Sequence, residues 1–153
     1  VARKIQKICN KYKVKFIIND DPFLAKQINA DGCHIGQKDI DIQEARRVLR
    51  QKIIGVTCHN SKKLIKKAIN SKADYIAIGA FFSSKTKKTK FKANLGLLKY
   101  AKKITKIPII SIGGINHSNY KKLLLNKSNF LAISGYVWKN KKLKPQDAIK
   151  RII

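Results

Sequence analysis

The chain has 153 residues, of which 44% are hydrophobic, and this composition indicates one globular domain with a sizeable core rather than a disordered chain. No apolar run approaches the roughly 18 residues of a membrane span, and the N-terminal segment lacks the apolar stretch of a secretory signal. The 3 cysteines are odd in number and form no C-x-x-C pair, so we expect reduced, mostly buried thiols in a cytoplasmic protein.

The charge is strongly positive, with 35 Lys and Arg against 8 Asp and Glu and a net charge of +27. A basic surface attracts nucleic acids and anionic substrates. Lysine is spread along the chain rather than gathered in one tract, and it is abundant together with Ile and Asn, as AT-rich codon usage favours. We therefore interpret most of this charge as solvated surface, and we do not expect nucleic acid to be the partner.

Six short apolar runs predict strands, and most of them are apolar nearly throughout, as in strands that are buried on both faces. In chain order they are Val14–Ile18, Gly32–Gly36, Ile53–Thr57, Asp74–Gly79, Pro108–Gly113 and Phe130–Ser134. Segments with helical spacing of apolar residues lie before, between and after these runs. They predict helices at Ala2–Tyr12, Pro22–Ala30, Ile42–Leu49, Lys62–Ile69, Leu95–Ile104, Tyr120–Leu125 and Ala148–Ile153.

The predicted helix starts carry residues that are typical of helix caps. Asp21 is followed by a proline, Asp41 forms an Asp version of the capping box with Glu44, and Asn60 or Ser61 is expected to cap the next helix. The alternation of strands and helices predicts a parallel sheet covered by helices. On periodicity alone two architectures compete: a (β/α)₈ barrel, which needs eight strands, and an open doubly wound sheet, which needs only five or six.

Two of the 8 acids lie at the carboxyl ends of predicted strands, where ligands bind in both architectures. Asp21 and Asp41 are explained as caps, and Asp31 precedes its strand, where an acid is typical of a turn. Asp20 and Asp39 follow neighbouring strands at similar depth, so both carboxylates are candidates for one cation, and hard oxygen ligands suit Mg²⁺. The alternative is two solvated loop acids, or acids paired with nearby lysines.

Phosphate-binding features follow the last three predicted strands. The segment 80–94 is longer than most βα loops and is rich in Ser, Thr and Lys, which suit a phosphate group over which the loop closes. Gly113, Gly114 and Ser134 lie at the next two strand ends, where exposed N–H groups and a hydroxyl suit an anion. The alternatives are a solvated lysine run for the loop and a tight strand-to-helix turn for the glycines.

Six segments carry an ordered set of motifs that spans essentially the whole chain. They are IINDD (Ile17–Asp21), DGCHIGQKD (Asp31–Asp39), IIGVTCHN (Ile53–Asn60), DYIAIGAFFSSKTKK (Asp74–Lys88), IPIISIGGI (Ile107–Ile115) and FLAISGYV (Phe130–Val137). Taken in this order they resemble the thiamine-phosphate synthase family. The resemblance implies a TIM (β/α)₈ barrel and a transferase that joins hydroxymethylpyrimidine diphosphate to a thiazole phosphate, releasing diphosphate and using Mg²⁺.

The resemblance also implies roles for individual residues. Asp20 and Asp39 would bind Mg²⁺, and Lys87 would be the catalytic residue. The pyrimidine diphosphate would be held by Asn19, Thr57 and Lys87, and the thiazole phosphate site would be lined by Ser84, Thr86, Gly113 or Gly114, Ile133 and Ser134. Departure of diphosphate would leave a stabilised pyrimidine cation that the thiazole nitrogen captures, so charge neutralisation rather than a general base is required.

The chain departs from the family's pattern at several positions. It has Asp21 where the family usually has Arg, Thr57 for Ser, Ser84 for Thr and Ala80 for Pro, and the two hydroxyl exchanges keep the donor. The family's first two strands, with a Gln-x-Arg-x-x-Lys-type stretch, have no counterpart here. We therefore expect residues 1–153 to form one N-terminally truncated domain, a partial barrel of six βα units matching the family's strands three to eight, with open edges that would allow a homo-oligomer.

Other functions stay open on the sequence alone. An inactive or partial synthase is one, and the related thiazole tautomerase, which shares the fold and binds a thiazole phosphate without metal, is another. Asp20 and Asp39 argue against the tautomerase, whereas His59, interpreted as a solvated or capping loop residue, leaves it open. His34 lies inside a predicted strand and is interpreted as a packed core residue. A basic nucleic-acid-binding module would explain the charge but not the features at successive strand ends.

Overall fold

The computed structural model describes residues 1–84 and 90–152, which form an α/β fold with helices alternating with strands. The strands are β1 (Ile17–Asn19), β2 (Gly32–Ile35), β3 (Ile53–His59), β4 (Tyr75–Gly79), β5 (Ile109–Ile112) and β6 (Phe130–Ala132), and their order in the sheet is the chain order. The helices are α1 (Ala2–Lys11), α2 (Pro22–Gln27), α3 (Ile42–Leu49), α4 (Lys62–Asn70), α5 (Leu95–Ile104), α6 (Tyr120–Leu125), α7 (Gly135–Trp138) and α8 (Pro145–Lys150). The predicted alternation and the six predicted strands are confirmed. None of the helices in the described ranges has the length and apolar character that a membrane crossing requires.

One compact unit comprises Val1–Thr57 and Lys67–Tyr75. Its strands β1, β2 and β3 pair in parallel, and the register places Asn19 opposite His34 and His34 opposite Gly55. Parallel strands carry their carboxyl ends to the same edge of a sheet, so the residues that follow β1 and β2 meet there.

Two acids hold the starts of strands in this unit. Asp31 accepts a hydrogen bond from the Phe16 backbone N–H at 2.9 Å and pairs with the Lys15 Nζ at 2.8 Å. Asp74 accepts a hydrogen bond from the Ile54 backbone N–H at 2.7 Å. The prediction of a turn residue at Asp31 was therefore incomplete, because the carboxylate satisfies a backbone donor before β1.

Helix caps in the first unit agree with the sequence, with one correction. Asp21 accepts a hydrogen bond from the Leu24 backbone N–H at 2.9 Å and caps α2. Asp41 caps α3, but it accepts from the Gln43 N–H at 2.8 Å rather than from the residue that a capping box requires. The predicted capping box was therefore wrong, although the cap itself was right.

The second compact unit comprises Cys58–Lys66 and Ile76–Ile153. Its strand pairs β4–β5 and β5–β6 are parallel. The Ser61 hydroxyl accepts a hydrogen bond from the Leu64 N–H at 3.3 Å, which decides between the two predicted caps of α4. Strand β5 is well buried, whereas Phe130 in β6 is 58% exposed. The expectation of a strand buried on both faces was therefore wrong for β6.

Several element boundaries differ from the predictions. β1 begins at Ile17 rather than Val14, because the Val14 N–H donates to the Cys9 carbonyl at 2.8 Å and so belongs to the end of α1. The last helix begins at Pro145, which occupies the first helical position that suits its fixed φ, rather than at Ala148. The four-residue helix α7 was not predicted, since it is too short to show a helical period.

Candidate functional site

Two acids follow the paired strands β1 and β2 in the first unit. The Asp20 backbone N–H donates to the His34 carbonyl at 2.8 Å, and Asp20 has a φ of +68°, a left-handed turn that ends β1 beside β2. The Asp39 Oδ2 accepts a hydrogen bond from the Gly36 N–H at 2.7 Å, which holds the loop after β2 and fixes that carboxylate. Asn19 is exposed at the last position of β1. Three of the predicted site residues therefore lie at one sheet edge.

The buried thiol of Cys33 lies within reach of the charge of three acids at this edge. The pKa of the Cys33 thiol is raised to about 11, first by burial and then by the carboxylates of Asp20, Asp21 and Asp39 in that order. A carboxylate shifts a neighbouring thiol only over a short range. Three of the 8 acids of a chain with a net charge of +27 thus act on a single buried side chain. Asp20 and Asp39 thus follow paired strands at one edge of the sheet and both act on Cys33, and their sharing of one cation stays a prediction.

Thr57 near the end of β3 is held by two neighbours from β2 and its loop. Its hydroxyl Oγ1 lies 2.7 Å from the His34 Nε2, and its carbonyl accepts a hydrogen bond from the Gln37 side-chain amide. The other ring nitrogen of His34, Nδ1, lies 2.9 Å from the Tyr75 hydroxyl. The half-buried ring of His34 stacks on Tyr75, as expected of a packed strand residue, and it also joins a predicted substrate-binding residue to that tyrosine.

His34 and Tyr75 are residues that sequence reasoning missed. Burial lowers the pKa of His34 to about 4, with Asp39 opposing that shift, and burial raises the pKa of Tyr75 to about 12. The histidine is therefore neutral and the tyrosine protonated at neutral pH. Gly55 is the sequence signal that was available, since a glycine inside a strand often marks the close approach of another group.

The glycine pair in the second unit has a structural reason. Gly113 and Gly114 have φ values of +95° and +64°, which glycine adopts without strain. A Cβ at Gly113 would overlap the side chain of Ala80, and a Cβ at Gly114 would overlap the backbone oxygen of Ser83. The Phe82 N–H also donates to the Gly113 carbonyl at 3.1 Å. Glycine at these two positions thus lets the backbone at Ala80–Ser83 pack closely against them. The predicted contact of the glycines with phosphate stays a prediction.

The remaining predicted residues of this unit are spread over two segments. Ser134 is exposed directly before α7, and its side chain makes no capping hydrogen bond to that helix. Ile133 and Ser84 are half-buried. Thr86 and Lys87 lie outside the described residues.

The interpretation of His59 as a solvated or capping residue was wrong. Its ring stacks on Phe91, with the ring centroids 4.1 Å apart. The neighbouring Asn60 donates from its side-chain amide to the Lys92 carbonyl at 3.1 Å. The end of β3 is therefore fastened to residues 91–92.

Comparison with known proteins gives consistent results. The family model described as thiamine monophosphate synthase matches residues 1–137. The thiamine-phosphate synthase of Pelagibacter ubique is 66% identical over 152 residues, which is 99% of this chain and 73% of that protein. The thiamine-phosphate synthase of Erythrobacter litoralis is 43% identical over 141 residues, which is 90% of this chain and 66% of that protein.

Solved structures show the fold that these sequences share. The thiamine phosphate pyrophosphorylase from Pyrococcus furiosus matches with a TM-score of 0.89 at 24% identity, covering 99% of this chain and 71% of that one. The 3-hexulose-6-phosphate synthase from Salmonella typhimurium matches with a TM-score of 0.72 at 18% identity, covering 99% and 77%. Because proteins of different activity share the fold, the sequence matches decide the family. The chain belongs to the thiamine-phosphate synthase family, an enzyme family of thiamine biosynthesis.

Proposed function

We propose that this chain joins hydroxymethylpyrimidine diphosphate to a thiazole phosphate, giving thiamine phosphate and inorganic diphosphate, with Mg²⁺ bound by Asp20 and Asp39. The carbon–oxygen bond to the diphosphate breaks and a carbon–nitrogen bond to the thiazole forms, so atoms and charge balance without an added oxidant or base. The observation that supports the proposal is the position of these two acids directly after paired strands, at the edge where both act on Cys33.

The donor set fits Mg²⁺ better than a softer metal. Mg²⁺ takes one or two carboxylates and completes its shell with phosphate oxygens and water. Within the described ranges no cluster of three or more His, Cys, Asp or Glu side chains is placed to hold a metal ion. The Gly36 N–H bonds the Oδ2 of Asp39, so the Oδ1 of that carboxylate is the atom we assign to the cation. The bound ion would supply positive charge to the leaving diphosphate.

The side chains around the two acids suit the diphosphate group. Asn19 and Thr57 offer an amide and a hydroxyl, Asn19 at the end of β1 and Thr57 near the end of β3. Such donors hold phosphate oxygens, and they are preorganised when their own positions are fixed. The hydrogen bonds of Thr57 to His34 and Gln37 supply that fixation.

We assign the second substrate to residues of the second unit on the strength of the family resemblance. Ser134 supports the assignment, because it is exposed before α7 and its hydroxyl is not used as a cap. Ile133, Ser84 and the glycine pair Gly113-Gly114 complete the proposed thiazole phosphate site. Lys87 and Thr86 are carried over from the family pattern alone.

The same resemblance assigns the strands. We propose that β1 to β6 correspond to the third to eighth strands of the family's TIM barrel, with residues 1–153 acting as one domain. The coverage of 99% of this chain but 71% of the Pyrococcus furiosus chain supports this correspondence. The proposal predicts that the chain gains activity when the N-terminal segment of the Pelagibacter ubique relative is fused before it.

The deciding experiment measures thiamine phosphate formation by the purified chain, alone and in that fusion, with Mg²⁺ and then with EDTA. Metal-dependent product in either form supports the synthase. Binding of inorganic diphosphate with Mg²⁺ is measured in parallel by calorimetry. Asp20→Asn and Asp39→Asn should each weaken it by about tenfold or more, because a charged ligand is lost while the amide oxygen can still accept the loop hydrogen bond.

Asp147→Asn is the matched control, since it removes one exposed acid from the first turn of α8. It should leave diphosphate binding unchanged. Wild-type binding in both Asp20→Asn and Asp39→Asn would show that the metal assignment is wrong. Absence of product from the folded fusion would reject the synthase reaction for this chain.

A further inference from the structure

A histidine and a tyrosine that have no assigned role lie behind the Thr57 hydroxyl. His34 bridges them, with Nε2 at 2.7 Å from the Thr57 Oγ1 and Nδ1 at 2.9 Å from the Tyr75 hydroxyl. The three side chains come from β2, β3 and β4, so the bridge crosses three segments of the first unit. Such a chain of hydrogen bonds gives the terminal hydroxyl a fixed direction.

The backbone is built to allow this bridge. Gly55 pairs in register with His34, and a Cβ at Gly55 would overlap the ring and hydroxyl of Tyr75. The tyrosine therefore lies over the glycine of β3 and reaches the histidine of β2. Any larger residue at position 55 would push the phenol away from the Nδ1 of His34.

The donors and acceptors can be assigned from the partners. The bond to His34 is the hydrogen bond that the structure gives the Tyr75 hydroxyl among the described residues, so the phenol hydrogen is satisfied when it points to Nδ1. Of the two tautomers that these distances allow, the one with Nδ1 as acceptor carries the ring hydrogen on Nε2, where it donates to Thr57. A protonated ring would also donate from Nε2, so the direction of this bond does not depend on the charge of His34.

The consequence concerns the hydrogen of Thr57. In that tautomer the Thr57 oxygen accepts from His34, so its own hydrogen points elsewhere and is available to a ligand. With the opposite tautomer, the Thr57 hydroxyl would donate that hydrogen to the Nε2 of His34. Tyr75 thus favours the tautomer of His34 that leaves the Thr57 hydroxyl able to donate a hydrogen bond.

We propose that His34, held by Tyr75, is a positioning residue that keeps the Thr57 hydroxyl as a hydrogen-bond donor to a diphosphate oxygen of the substrate. This inference rests on the proposed function, which assigns Thr57 to the diphosphate. In this role the effect of His34 on the substrate passes through Thr57.

The first test determines the tautomer by long-range ¹H–¹⁵N NMR of the histidine side chains in the wild-type chain. We expect the His34 hydrogen on Nε2, and Tyr75→Phe should shift the Nδ1 resonance because its donor is lost. Tyr12→Phe is the matched control, since it removes the hydroxyl of a tyrosine that is 66% exposed. A hydrogen on Nδ1 in the wild-type chain would overturn the inference.

The second test measures inorganic diphosphate binding with Mg²⁺ in a double-mutant cycle. Thr57→Val should weaken binding by about tenfold, as expected for a lost hydrogen bond to a charged group. His34→Leu should weaken it by about threefold, because the freed hydroxyl spreads over three staggered positions of which one is competent. In the Thr57→Val background, His34→Leu should have no further effect.

Two further variants separate positioning from a general structural effect. His34→Gln keeps an amide donor near Thr57 and should restore most of the affinity. His117→Leu removes an exposed histidine outside the bridge and should bind as the wild-type chain does. If His34→Leu lowers the diphosphate affinity equally in the wild-type and Thr57→Val backgrounds, its role is structural and the inference is overturned.

The outcomes also distinguish this inference from the proposed function. Binding that needs Mg²⁺, Asp20 and Asp39 but is unchanged in Thr57→Val or His34→Leu leaves the proposed function standing and rejects the positioning role. A folded wild-type chain that binds no diphosphate rejects both.

Discussion

Gly55→Ala tests how the first unit is packed around the predicted site. The new Cβ would overlap the Tyr75 ring, which must move away from His34. Overpacking of this kind lowers the free energy of unfolding by about 1–3 kcal/mol, and loss of the phenol hydrogen bond adds about 1 kcal/mol. Replacing a glycine inside a strand by alanine raises the free energy of unfolding by about 0.5–1 kcal/mol, which offsets part of this loss. We expect a net loss of about 2 kcal/mol.

The assay is urea unfolding followed by circular dichroism, repeated in a Tyr75→Ala background. Without the tyrosine ring the overlap disappears, so Gly55→Ala should then be neutral or stabilising by about 0.5 kcal/mol. Gly96→Ala, in the first turn of α5, is the control and should not destabilise the chain. An equal loss from Gly55→Ala in both backgrounds would refute the assignment of its cost to Tyr75.

Two other acids give predictions that do not involve the site. Asp41→Ala should lower the free energy of unfolding by about 1 kcal/mol through loss of the α3 cap, whereas Asp41→Asn should retain most of it, as urea unfolding will show. The hydrogen bond from Lys15, followed by that from the Phe16 N–H, lowers the pKa of Asp31. The stability from this depressed pKa is present above the ordinary carboxyl pKa and is lost as the pH falls. The gap between wild type and Asp31→Asn should therefore close as the pH falls through and below the ordinary carboxyl range.

The parts of the fold that the sequence predicted well are those with strong local signals. α3 was predicted over its whole length, because Asp41 marks its start and apolar residues recur at helical spacing. β1 was predicted too long, since Val14 is apolar like a strand residue but its N–H is used by the end of α1. α7 carries no periodic signal in four residues. Local sequence patterns therefore predict the type of an element better than its ends, because the ends depend on which groups compete for the backbone hydrogen bonds there.

The site was predictable to the extent that it depends on chain order. Asp20 and Asp39 could be placed at one edge because parallel neighbouring strands end together. The role of His34 could not be predicted, because a strand pattern gives the face of a residue but not the atoms opposite its ring nitrogens. That information depends on the register of Gly55 and on the direction of the Tyr75 side chain, which are properties of three paired segments.

Most of the 8 acids of this chain have a structural role in the described residues. Asp31 and Asp74 satisfy backbone donors of strands, and Asp74 also pairs with Arg46 at 2.6 Å. The caps account for two more acids, and Glu44 and Asp147 lie in first turns of helices, where negative charge is favourable. Asp20 follows β1, and Asp39 accepts the Gly36 N–H in the loop after β2, so both lie at the edge where ligands bind to parallel sheets. Both carboxylates help to raise the pKa of the buried Cys33 thiol, so that thiol stays protonated and uncharged beside them and does not compete for a cation.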